Sequence, residues 1–185
     1  MKRKQKFIWK ILGSKIVLNN KWLRVRRDRV GLPNGVIVDD YFVTELPNIA
    51  TVFAITKNNE VVFIKEYRHA IRKVLLGLPA GTYNKKLENP KGAAARELLE
   101  ETGYKANKLI HLGTFYVYAT KIETQIDAYL TKDAKYVGTT FGEATENIKL
   151  IKIPLRKVRR LLDNNTIKGA GAVATISLAL QRLKK

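Results

Sequence analysis

The sequence contains no cysteine, which removes disulfides, thiolate metal sites and thiol nucleophiles together and fits a reducing interior. Nor does it hold an unbroken apolar run near the roughly 18 residues that a membrane-crossing helix needs. The opening stretch, Met1 to Gly13, has the basic start of a signal peptide. Lys10 interrupts its apolar part, however, and no small-residue cleavage site follows, so the expectation is a cytoplasmic protein. Repeats, low-complexity tracts and linkers are missing too. Acidic side chains are scarce, 16 against 35 basic ones, for a formal charge of +19. A field of that sign concentrates polyanions. The lysines are nevertheless scattered along the whole chain without a long run or interleaved aromatics, which favours a solvated basic surface over a nucleic-acid partner.

What is present is enough for one ordinary domain: 185 residues, 45% hydrophobic and 28% charged. The first part reads as short strands at Phe7–Leu12, Ser14–Leu18, Trp22–Val30 and Val36–Thr44, separated by Asn19-Asn20 and Pro33-Asn34-Gly35. Thr51–Thr56 and Val61–Lys65 read as a hairpin across Lys57-Asn58-Asn59-Glu60. Asn89 followed by Pro90 is a helix start, and Gly103 stands where a left-handed residue would end it, predicting a helix from Pro90 to Thr102. Further strands are predicted at His111–Tyr118, Thr124–Leu130 and Ile148–Ile153. Two helices close the chain, Leu155–Leu162 and one following Gly169 with Val173, Ile176, Ser177, Leu180 and Leu183 on one face. Strands interleaved with helices in this order imply a mixed α/β domain.

The Pro90–Thr102 helix carries Arg96, Glu97, Glu100 and Glu101. Residues three and four apart share a helical face, so the three glutamates can converge. They repel one another and lie toward the C-terminal end, where the helix dipole disfavours anions. A divalent cation resolves that conflict. Oxygen donors without cysteine or histidine nearby suit Mg2+ or Mn2+ better than zinc. The competing reading is a solvated acidic face balanced by lysines.

Gly81, Glu88, Arg96-Glu97-Leu98-Leu99-Glu100-Glu101 and Gly103-Tyr104 resemble the Nudix box, G-x5-E-x7-R-E-U-x-E-E-x-G-U, with U a bulky apolar residue. One departure is visible: six residues rather than five separate Gly81 from Glu88, in a loop where insertion is tolerated. Asn20–Val25, Leu32-Pro33-Asn34-Gly35, Glu66-Tyr67-Arg68, Leu78-Pro79-Ala80-Gly81 and Asn165-Thr166-Ile167-Lys168 extend the likeness to the branch that hydrolyses ADP-ribose and other nucleoside diphosphate sugars. The resemblance implies an α/β/α sandwich around a mixed sheet over residues 48–185. An N-terminal antiparallel β region, 1–47, precedes it and in that branch commonly exchanges across a homodimer.

For the site, the resemblance implies Glu97 and Glu101 as main metal ligands, Glu100 in support, and the Ala80 carbonyl completing the shell. Arg96 would hold the glutamates in position. Arg68 would meet the diphosphate or adjoining sugar, and Glu123 would face the substrate. The base that activates water comes, in that branch, from an acidic loop before the last core strand. Here that loop reads Phe141-Gly142-Glu143-Ala144-Thr145-Glu146-Asn147-Ile148, and Glu146 and Glu143 are both candidates. Gly77, where the branch often has glutamate, and Tyr116–Lys121, which lacks a Pro-Gly, leave the accepted sugar open. The expected reaction is cleavage of a nucleoside diphosphate sugar to a nucleoside monophosphate and a sugar phosphate. Two alternatives stand beside it: action on dinucleoside polyphosphates or RNA 5′ ends, and an inactive nucleotide-binding domain.

Overall fold

The computed structural model describes residues 7–138 and 148–184. Its chain forms two compact units, Met1–Leu46 with Tyr116–Thr124, and Pro47–Phe115 with Gln125–Lys185. In the first unit, β1 (Lys10–Asn19), β2 (Arg24–Gly31) and β3 (Ile37–Glu45) make an antiparallel meander. Asn20 shapes the first turn by accepting from the amides of Trp22 and Leu23. Gly35, at φ 88°, supplies the left-handed residue of the second. The sequence suggests two strands here, Phe7–Leu12 and Ser14–Leu18, but the structure has the single strand β1. Gly13 falls at a register shift against β2, so a bulge absorbs the irregularity that reads in sequence as a break. Arg26 organises the unit's polar interior through ion pairs to Asp28, Glu45 and Glu123. Burial pushes the Asp28 carboxyl up, but the Ser14 hydroxyl and the Arg26 guanidinium outweigh it and hold Asp28 below its usual value.

The second unit continues with β4 (Asn48–Thr56), β5 (Glu60–Arg68), a 3-10 turn at His69–Ile71, β6 (Lys73–Gly77), β7 (Ala80–Tyr83), α1 (Pro90–Thr102) and β8 (Tyr104–Lys105). It is completed by β9 (Ile110–Tyr118) and β10 (Ile122–Tyr136), three residues of each counting with the first unit, and by β11 (Lys149–Pro154), α2 (Leu155–Asp163) and α3 (Ala170–Leu183). From Ile126 to Ala134, β10 runs parallel to β4, while β5 and β11 pair antiparallel, so the sheet is mixed. β4 divides its partners: Asn48–Thr51 pair with β7, and Ala54–Ile55 pair with β5. β10 exceeds the expected Thr124–Leu130 because its ladder with β4 continues through a register shift after Thr131.

Strand alternation sends successive side chains to opposite faces, and here it builds two cores. Ala50, Val52 and Ala54 of β4, Val62 of β5 and Tyr129 of β10 pack with Ala93, Ala94 and Leu98 of α1. Phe53, Ile55, Val61, Phe63 and Leu130 face the other way and meet Val158 of α2 and Ile176 and Ala179 of α3. The result is an α/β/α sandwich within this unit, with α1 alone on one face. No helix among the described residues is long and apolar enough to cross a membrane.

Candidate active site

Helix α1 begins and ends where its sequence predicts. Asn89 Oδ1 accepts from the Gly92 amide at 2.8 Å, and Pro90 occupies the first turn. At the other end Gly103 takes φ 69° and donates to the Leu99 carbonyl at 2.8 Å. The buried residues of the helix are Ala93, Ala94, Glu97, Leu98, Glu101 and Thr102. They form one stripe at helical spacing, and two of its members are carboxylates. A solvated acidic face is therefore not what the helix presents: Glu97 is 9% exposed and Glu101 7%. Burying ionised carboxylates is costly without compensating charge or hydrogen bonds.

Part of that compensation is visible. Arg96 donates through Nη1 to Glu97 at 2.8 Å and to Glu100 at 2.9 Å, and through Nη2 to Glu88 at 3.0 Å. Glu88 foremost, then Glu100 and Glu97, push the guanidinium pKa further up against the opposing effect of its burial. Arg96 also donates to the Thr82 carbonyl, joining α1 to β7. The extra loop residue before Glu88 therefore does not remove this glutamate from the cluster. Among the described residues, no three acidic or histidine side chains are already grouped as ligands about one point. Arg96 draws Glu97 and Glu100 to itself, whereas Glu101 Oε2 accepts from the Ala80 amide at 2.9 Å. One guanidinium thus ties Glu88, Glu97 and Glu100 together.

Strand β7 lies close against that helix face. The Pro79 carbonyl accepts from the Val52 amide at 3.0 Å and from Thr51 Oγ1 at 3.1 Å, fixing the entry to Ala80. A Cβ at position 81 would stand 2.0 Å from the Glu97 carboxyl carbon, so any residue but glycine would push that carboxylate aside. Beside Ala80 opens a cleft of about 140 Å3. Arg68 and Glu66 supply its charged lining, paired at 2.7 Å, and Leu75, Leu76 and Gly77 contribute to its wall. The first turn of α3 closes another side with Gly171 and Ala172.

The second unit thus brings together Arg68, Ala80, Arg96, Glu97, Glu100 and Glu101 on connected elements. Glu123 belongs to the first unit, where it accepts from Arg26 at 2.9 Å. Glu143 and Glu146 lie outside the described residues. Sequence reasoning missed Glu66 as the partner of Arg68, Thr51 as the anchor of Pro79, and a buried pair behind β7. In that pair the Tyr83 hydroxyl donates to Asp127 Oδ2, while Thr114 donates to Oδ1 at 2.6 Å. Burial first, and then Asp127, push the Tyr83 pKa up, so its hydroxyl stays a donor. Tyr83→Phe removes one donor from a buried carboxylate, which costs about 1.5–3 kcal/mol. In a chain of this size the thermal midpoint should fall by about 3–12 °C. A melt unchanged from wild type would show that the pair contributes nothing to stability.

Comparison with known proteins agrees with this geometry. A family model described as "NUDIX domain" matches residues 46–156, and one described as "Nucleoside diphosphate sugar hydrolase N-terminal domain" matches residues 9–44. An ADP-ribose pyrophosphatase of Bacillus subtilis (strain 168) is 25% identical, covering 95% of this chain and 97% of its own. A methanol dehydrogenase activator of Bacillus methanolicus is 28% identical over 85% of this chain and 88% of its own. A CMP-5'-(N-acetyl-N-hydroxy-3-aminopropyl)phosphonate hydrolase of Streptomyces rubellomurinus (strain ATCC 31215) is 30% identical over 92% and 82%. Among solved structures, an ADP compounds hydrolase superposes with a TM-score of 0.84 at 22% identity, covering 98% of this chain and 97% of that one. The two family models, the fold and the glutamate helix thus converge, and the chain belongs to the Nudix family as a hydrolase of its ADP-ribose and nucleoside diphosphate sugar pyrophosphatase branch.

Proposed function

We propose that this chain hydrolyses the diphosphate linkage of nucleoside diphosphate sugars, with ADP-ribose as the foremost substrate and Mg2+ as the cofactor. The observation that carries the reading is the meeting of the glutamate helix with the Arg68 cleft at a single short segment, Ala80-Gly81. Water adds to one phosphorus, the anhydride P–O bond breaks, and AMP leaves with ribose 5-phosphate. The relatives named for ADP-ribose hydrolysis support this choice of substrate.

The residues present fit a hard divalent cation. Glu97 and Glu101 are buried oxygen donors with Glu100 at their edge, the sequence has no cysteine, and glycine at position 81 clears space for the Glu97 carboxylate. When bound, Mg2+, or Mn2+ in its place, neutralises the diphosphate charge and acidifies the attacking water. Arg96 sets the directions of Glu97 and Glu100 through charge-assisted hydrogen bonds. Arg68 receives the diphosphate or the adjoining ribose in exchange for Glu66, and the family resemblance is what assigns Glu123 to the substrate. The water's proton passes to Glu146 or Glu143.

Mononucleotide or phosphate release from ADP-ribose, GDP-mannose, diadenosine polyphosphates and 5′-triphosphate RNA, each followed by its own product with and without Mg2+ or Mn2+, tests the substrate. Preference for the polyphosphates or RNA would overturn it, and no turnover with measurable nucleotide binding would point to an inactive module. Glu146→Gln and Glu143→Gln, assayed separately, should differ: loss of the base lowers kcat by about 10²–10⁴-fold, and the other variant stays near wild type. Full activity in both would remove the loop from the mechanism.

The working form is a homodimer. Every residue of β1 is exposed in the single chain, among them Ile11, Leu12, Val17 and Leu18, and exposed apolar strand surface favours association. Light scattering after size exclusion should return twice the 21.0 kDa chain mass. The chain mass itself would refute the dimer.

A further inference from the structure

Helix α2 carries four basic residues in nine: Arg156, Lys157, Arg159 and Arg160, all exposed. This arrangement works against the helix. Arg156 and Lys157 sit in its first turn, which holds no acidic residue and where the dipole disfavours cations. Arg156 and Arg160 are four apart, and Lys157 and Arg160 three apart, so they repel along one face. Asp163 offsets Arg159 at 2.8 Å, but among the described residues Arg156, Lys157 and Arg160 have no ion-pair partner. A general lysine bias does not account for three arginines within five positions.

The same end of the second unit adds to the charge. The Leu155 amide donates to the Asn59 carbonyl at 2.8 Å, which brings the β4–β5 turn, with Lys57 at its start, against the head of α2. An open hollow of about 410 Å3 between them is lined by Asn58, Asn59, Pro154, Leu155 and Arg156. This surface lies at the Glu60 end of β5. Arg68 and the cleft lie at the other end, about 26 Å along the strand at the usual rise per residue.

We propose that α2 and the β4–β5 turn form a docking surface for double-stranded RNA, separate from the catalytic cleft. Arginine is suited to paired hydrogen bonds with phosphate oxygens. The apolar side of α2 is committed to the core through Val158, Leu161 and Leu162, so the helix has no free face to insert into a bilayer. It also lies flat on its unit and has no exposed aromatic residue in the patch, which disfavours entry into a DNA major groove and stacking on single strands. A shallow basic ridge beside two asparagine amides matches the wide minor groove of an RNA duplex, which displays phosphates and 2′-hydroxyls.

The test uses the full chain and a labelled RNA duplex of about 16 base pairs, with binding read by fluorescence anisotropy between about 50 and 200 mM salt. Arg156→Gln, Lys157→Gln and Arg160→Gln combined should weaken binding at least tenfold at low salt. They should lower the slope of log K against log salt by about 2–3, because each phosphate that a removed cation had neutralised accounts for nearly one unit. Lys105→Gln, Lys108→Gln and Lys135→Gln remove equal charge elsewhere and should change affinity far less. ADP-ribose turnover should stay at the wild-type value in both triple variants, and the thermal midpoint should hold or rise slightly where the mutually repelling cations of α2 are removed. Absence of duplex RNA binding, equal weakening by the two variants, or equal binding of duplex DNA would overturn the proposal. So would retention on phosphatidylserine vesicles in place of RNA.

Discussion

Glu101→Gln is expected to leave the protein folded and to lower ADP-ribose turnover by about 10²–10³-fold, the range found when one preorganised charge-stabilising group is removed. The substitution is close to isosteric. Its amide oxygen can still accept from the Ala80 amide, which Glu101 Oε2 now does at 2.9 Å, so the bond between α1 and β7 survives. What disappears is one negative charge from a buried position. In metal-free protein that loss relieves repulsion with neighbouring Glu97, so the thermal midpoint should hold or rise slightly. Added Mg2+ should raise the midpoint of the wild type, because an ion that binds only the folded state stabilises it by mass action. The variant should show little of this increment. Activity near wild type, or an equal response of both proteins to Mg2+, would sink the assignment of Glu101 to the metal.

The elements that could be read from sequence are those whose causes are local. Asn89-Pro90 and Gly103 bracket α1 because caps act on backbone groups within four residues, and the glutamates follow at fixed offsets on that helix. Strands β6 and β7 were not legible, since Leu75–Gly81 is short, contains glycine and proline, and becomes strand only through pairing with β5 and β4. The same holds for contacts between distant residues. Glu66 could be named as part of a likeness without any sign that it would hold Arg68, and nothing local to Tyr83 announces Asp127 forty-four positions on. The two surfaces of β4 show the intermediate case. Its near-continuous apolar run predicts burial on both faces, but the assignment of Ala50, Val52 and Ala54 to α1 depends on where that helix lands. The neighbourhood of α2 was hidden for a related reason: Asn59 and Arg156 lie far apart along the chain and line one hollow only because Leu155 bonds to Asn59.

Gly81→Ala should disable the enzyme nearly as fully as loss of Glu97 itself. The added Cβ would fall 2.0 Å from the Glu97 Cδ and Oε1 and 2.2 Å from Oε2, well inside contact distance. The obstructing group is the far end of a flexible side chain, so the carboxylate gives way before the backbone does. The fold survives at a cost of about 1–3 kcal/mol, typical of an overpacked site. Glu97 then leaves the position where Gly81, Ala80 and Glu101 meet, and Mg2+ affinity and kcat fall together. Gly77→Ala provides the contrast on the wall of the same cleft. A Cβ there meets nothing within 4 Å, so it should retain near-normal stability and turnover with ADP-ribose. A double variant isolates the cause. If Gly81→Ala acts by displacing Glu97, combining it with Glu97→Gln should add little to either single loss, because residues that act through one contact are strongly non-additive. Losses that multiply in the double variant would show that Gly81 matters for another reason, and the close fit of β7 to α1 would then not explain the glycine.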